Sequence, residues 1–129
     1  MDTGKYSIAF WKFKDAVSLN NLETYNSLSK GIYLEGVEEL PIDKIKQEIA
    51  KVFNDWTYYD NIWHKNDDEE FKIYLNSQFL RIDCIKMLSG KDMNKFTDIM
   101  VDFCCHLYDA QIDRRFDEYP LMKGENYYI

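Results

Sequence analysis

Residues 6–13, YSIAFWKF, place apolar side chains on both sides of an extended chain: Tyr6, Ile8 and Phe10 on one, Ala9, Trp11 and Phe13 on the other. Successive side chains of a strand point to opposite faces, so a strand that is apolar on both is predicted to be central in its sheet. The rest of the chain must supply its neighbours.

Helical spacing follows at Leu22, Tyr25, Leu28 and Ile32, with Gly31 placed where a C-terminal glycine would end a helix. A second helix is expected from Pro41, a residue suited to a first helical turn, with Ile42, Ile45, Ile49, Val52 and Phe53 on one stripe. The pattern dissolves over 54–66, where a strand is expected around Ile62. Phe71, Ile73 and Leu75 then alternate with Lys72 and Tyr74, and Leu80, Ile82 and Cys84 alternate with Arg81 and Asp83. Asn76, Ser77 and Gln78 join the two runs as a tight connection, giving an antiparallel hairpin. Ser89 and Asp92 match a helix start, and Met93, Phe96, Met100, Phe103, Cys104 and Leu107 lie on one helical stripe. A short strand-like piece near 107–109 precedes a tail of mixed charge, whose end, Tyr127, Tyr128 and Ile129, is apolar enough to dock. This order predicts one α+β domain, 1–129: a single-layer antiparallel sheet of about four strands with helices packed on one face, ferredoxin-like or related.

At 129 residues and 46% apolar, the chain can fill one sizeable core. No stretch approaches the roughly 20 apolar residues of a bilayer span, and Lys12 and Lys14 break up the apolar run at the start, so neither membrane insertion nor export is expected. Cysteines 84, 104 and 105 are odd in number and two are adjacent, which suits small buried hydrophobes in a reducing cytoplasm.

The elements of catalysis are sparse. Only His64 and His106 could act as imidazole bases, and His106 beside Cys105 on a helix would point about 100° away from it. The four acids Asp67, Asp68, Glu69 and Glu70 invite a hard cation, but they lack the glycine and one-apart spacing of a calcium loop. The five glycines are scattered singly, so no phosphate cradle is formed. Arg114 and Arg115 are flanked by Asp113 and Asp117. No catalytic residue, metal site or cofactor is predicted, and nucleic acid is disfavoured as a partner.

Charge and aromaticity point to a protein partner. There are 23 Asp plus Glu against 16 Lys plus Arg, a net charge of -7, together with 10 Tyr, 8 Phe and 3 Trp. Acid repels phosphate and attracts basic proteins, and exposed Tyr and Trp anchor interfaces, although acidity also serves simple solubility. The candidate surface is Asp55, Tyr58, Tyr59, Asp60 and Trp63, followed by Asp67, Asp68, Glu69 and Glu70. Of the aromatics here, Trp56, Tyr58, Tyr59 and Trp63, at least two are expected in the core. A metal-assisted hydrolase built on Asp60 and the acidic run, and a regulatory interaction domain, are the competing readings.

The residues 91–100, KDMNKFTDIM, the stretch Leu107, Tyr108, Asp109, Ala110 and Gln111, the opening Ile8, Ala9, Phe10, Trp11 and Lys12, and Leu40, Pro41 and Ile42 resemble the immunity proteins of contact-dependent growth inhibition and related polymorphic toxin systems. Members of that family often carry proline where Ala110 stands. The resemblance implies a small bacterial protein that binds and neutralises a cognate toxin domain, with Phe96, Met100 and Tyr108 as core residues. It implies no catalytic residue and no particular toxin contact.

Overall fold

A computed structural model describes residues 6–65, 69–86 and 88–116. In chain order they form β1 (Tyr6–Trp11), α1 (Asn21–Ser29), α2 (Ile42–Val52), β2 (Thr57–Tyr59), β3 (Ile62–Lys65), β4 (Glu69–Asn76), β5 (Phe79–Cys84), α3 (Gly90–Val101), β6 (His106–Asp109) and β7 (Arg114–Arg115). All seven strands join one sheet in the order β2-β3-β4-β5-β1-β6-β7, with every neighbouring pair antiparallel. The expectation of about four strands is therefore corrected to seven. So is the ferredoxin-like arrangement: here β2 to β5 form a meander and β1 slots between β5 and β6.

Local chemistry sets the element ends. The Asn20 side chain accepts from the Glu23 amide at 2.9 Å and starts α1. At its other end Gly31 sits at φ 80, where a Cβ would be strained. The Gly31 amide donates to Leu28 O and the Ile32 amide to Ser27 O, satisfying the last carbonyls as a Schellman motif. Ser89 caps α3, its hydroxyl accepting from the Asp92 amide and donating to the Asp92 carboxylate. That helix stops at Val101, so Phe103 and Cys104 lie in the turn beyond it, and both Leu107 and His106 belong to β6. Cys104 takes φ 61, which breaks the helical stripe read from sequence.

Helices cover both faces of the sheet, which corrects the expectation of one. On the first face Ile8, Phe10, Phe71, Leu80 and Ile82 pack beneath Ile45 and Ile49 of α2, Phe53, and Phe96, Ile99 and Met100 of α3. On the second, Ala9, Trp11, Phe79 and Tyr108 meet Leu28 of α1 and Val37. β1 contributes to both clusters, and Ile8, Ala9, Phe10 and Trp11 are each fully buried. Its two-sided apolar pattern is thus explained by two cores on one central strand. Arg115 closes the second core, donating to Trp11 O at 2.7 Å and stacking 4.8 Å over Phe13. α1 buries only Thr24 and Leu28, leaving Leu22 exposed, as is Ile32 beyond its end.

Candidate functional site

The segment singled out in sequence becomes the β2–β3 hairpin and the strand beside it. Tyr59 pairs with Ile62 across a two-residue turn, Asp60 and Asn61, at φ 56 and 66. Two consecutive positive φ values make the turn of the primed type that matches strand twist, and Asp and Asn tolerate it best after glycine. The Tyr58 hydroxyl and Asn61 Oδ1 lie 3.0 Å apart, bracing it.

The four aromatics divide. Trp56 is buried against Phe53 and Phe71. Trp63 is half-buried and stacks on Phe71. Tyr58 leans on Trp63 with centroids 5.1 Å apart yet remains 57% exposed, and Tyr59, on the opposite face of the strand, is 73% exposed. Tyr58 therefore stands on a base of packed tryptophans, and Tyr59 projects from the other face of the hairpin.

The acids are more tightly held than their sequence suggests. Asp55 meets Lys65 at 3.3 Å, and this hydrogen bond from the ammonium holds its carboxyl below the usual range. Glu70 lies 3.0 Å from His64 Nδ1 and 3.4 Å from Lys86. Antiparallel register places Lys65 opposite Glu69 and His64 opposite Glu70. Asp60 stands exposed at the hairpin tip. Asp67 and Asp68 lie outside the described residues. The surface is thus a mixed acid and base lattice around two tyrosines, and Lys65 and Lys86 are members the sequence reading missed. Recognising Asp60 and Asn61 as a hairpin turn would have revealed Lys65 as a cross-strand partner.

Elsewhere, Ser7 Oγ donates to Asp83 at 2.7 Å, and Arg81 grips the same carboxylate through Nε and Nη2. This cluster satisfies itself and ties β1 to β5. Among the described residues, no group of three His, Cys, Asp or Glu side chains is placed to hold a metal ion. Among them, too, no helix is long and apolar enough to cross a membrane. Compared with protein-family models and with curated proteins, the chain finds no match.

Proposed function

We propose that this chain is an immunity-type binding protein that holds a cationic toxin domain, such as a nuclease, against the surface built by β2 and β3. The observation that carries the reading is the pair of exposed tyrosines, Tyr58 and Tyr59, on a braced hairpin with Asp60 at its tip, in a chain of net charge -7. Tyrosine offers large contact area at small entropic cost, and an acidic surround speeds capture of a basic partner. A nuclease must be basic where it grips phosphate, so an acidic, aromatic plug complements it. The resemblance in β1, α3 and β6 to immunity proteins supports the same reading.

The test is kinetic. A toxin domain encoded beside this chain's gene should form a stable complex with it, burying about 800 Å² per partner. Tyr59→Ala should mainly speed dissociation, costing about 2 kcal/mol if it is a hot spot, whereas reversing Asp60 and Glu69 to lysine should slow association and flatten its salt dependence. If both changes leave binding and protection of toxin-expressing cells intact, the hairpin is not the interface.

A further inference from the structure

β4 is longer than the strand that flanks it. Its pairing with β3 stops at Ile62 opposite Lys72, whereas its pairing with β5 runs on to Asn76 opposite Phe79. The Ile85 amide donates to Glu70 O, so Glu70 directs its backbone groups toward β5. Antiparallel pairing alternates, so Lys72, Tyr74 and Asn76 do likewise, and Phe71, Ile73 and Leu75 direct theirs the other way. Phe71 meets Trp63 there. The Ile62–Lys72 pair is then of the non-hydrogen-bonded kind, which sets the Ile73 amide against Asn61 of the hairpin turn. Beyond that position no strand follows among the described residues, leaving the Ile73 C=O and the N–H and C=O of Leu75 along an open edge.

That edge has an apolar wall. A groove of about 510 Å³ runs along it, bounded by Ile73 and Leu75, by Tyr58 and Trp63 of the hairpin, and by Ile49 and Lys46 of α2. Exposed edges are normally guarded by charge, proline or a bulge. The stretch Ile73, Tyr74 and Leu75 carries neither a charge nor a proline. Lys46 makes no ion pair among the described residues, and it lies one helical turn from Ile49, at the groove wall.

We infer that this groove is a strand-addition site for an extended peptide segment with apolar side chains at alternate positions and one carboxylate meeting Lys46. A backbone ladder of alternating donors and acceptors is complementary to another strand, and alternate side chains of that strand would enter the groove beside Ile49, Tyr58 and Trp63. The single unpaired ammonium at the wall selects an acid within the segment. This site shares Tyr58 and Trp63 with the surface proposed above but not its partner: it recognises a strand through main chain, and its failure would leave the Tyr59 and Asp60 face untouched.

The probe is a capped octapeptide alternating valine and threonine with one valine replaced by glutamate, titrated into the full-length chain. Backbone amide shifts should appear at Ile73, Leu75, Tyr58 and Trp63, and hydrogen exchange at Leu75 should slow about tenfold or more. Methylating the peptide nitrogens on its pairing side should abolish this. Lys46→Glu should weaken binding about tenfold, and a peptide carrying lysine in place of glutamate should recover it. Absence of these shifts at about millimolar peptide overturns the site. So does equal binding of the methylated peptide. Strong protection of Leu75 without peptide also overturns it, identifying the chain's own residues 117–129 as occupant if their deletion releases the amide, or a second copy if dilution does.

Discussion

Trp63 lies flat on Phe71, their centroids 5.8 Å apart and their planes 8° from parallel. The indole is thus anchored from below by the core while Tyr58 rests on it from outside, so one side chain links stability to the candidate surface. Trp63→Ala should cost about 3 kcal/mol in chemical denaturation, the low end for a large aromatic because Trp63 is half-buried. Tyr59→Ala, on the open face, should change stability by no more than about 0.5 kcal/mol. Equal losses for the two would mean the hairpin does not rest on the core as described.

Phe96 is fully buried, stacked 4.7 Å from Phe53 and edge-on to Phe71 at 5.1 Å. Phe96→Ala removes the contact on which α2, α3 and β4 converge. A destabilisation of about 3 to 5 kcal/mol is expected from lost burial plus cavity. Wild-type denaturant sensitivity in this variant would contradict the packing.

Gln78 is a buried polar side chain that holds the strap between α1 and α2. It accepts from the Leu34 amide at 3.0 Å and donates to Leu34 O at 2.7 Å and Val37 O at 2.8 Å. Gln78→Met keeps the volume but abandons three backbone groups, and unsatisfied buried groups cost about 1 to 3 kcal/mol each. A loss of about 3 kcal/mol is expected. A near-neutral Gln78→Met would show the strap held by packing alone.

Burial, and then donation to the Asp109 carboxylate, push the Tyr6 phenol up from 10.0 to about 12. The fold therefore prefers the protonated phenol. That preference stabilises fully below pH 10 and is lost as pH rises toward 12. Tyr108 is raised in the same sense by burial and by Asp113. Stability should fall across this alkaline window, and Tyr6→Phe should flatten part of the fall. An unchanged slope in that variant would remove Tyr6 from the account.

Burial pushes the Cys84 thiol up to about 11 and the Cys105 thiol up to about 12, whereas Cys104 is exposed. The thiolate is the reactive form, so Cys104 should react with an aromatic disulfide reagent in the native state while the other two wait for unfolding. Rapid modification of all three thiols without denaturant would contradict the burial of Cys84 and Cys105.

What the sequence made legible follows from how much each element buries. β1, β4, β5, α2 and the start of α3 carry strong periodicities because each packs a full face, and these are legible in the sequence. The end of α3 is not, since the helix stops at Val101 while the apolar spacing runs on to Leu107 in β6. β2 was missed because Thr57, Tyr58 and Tyr59 are all exposed, which erases the contrast between faces. β7, with two residues, is too short to carry a pattern. α1 and its end at Gly31 are legible, but the face it buries is not, since Leu22, one of its apparent anchors, faces solvent while Thr24 is buried. The candidate surface was legible in its tyrosines. Its ion pairs were not, because Asp55 with Lys65 and Glu70 with Lys86 depend on register between strands rather than on neighbours in the chain.

The position of β1 has a consequence for how the molecule is made. Its bonds reach far along the chain: Ser7 to Asp83 spans 76 residues and Tyr6 to Asp109 spans 103. A ribosome therefore delivers β1 before either of its sheet neighbours. The meander of β2 to β5 can assemble from local hairpins, but the sheet becomes continuous only when β1 pairs with β5 and then receives β6 on its other side. Such long loop closures place folding in the slow range of milliseconds to seconds, and until then Ile8, Phe10 and Trp11 are the residues a holding chaperone would have to shield.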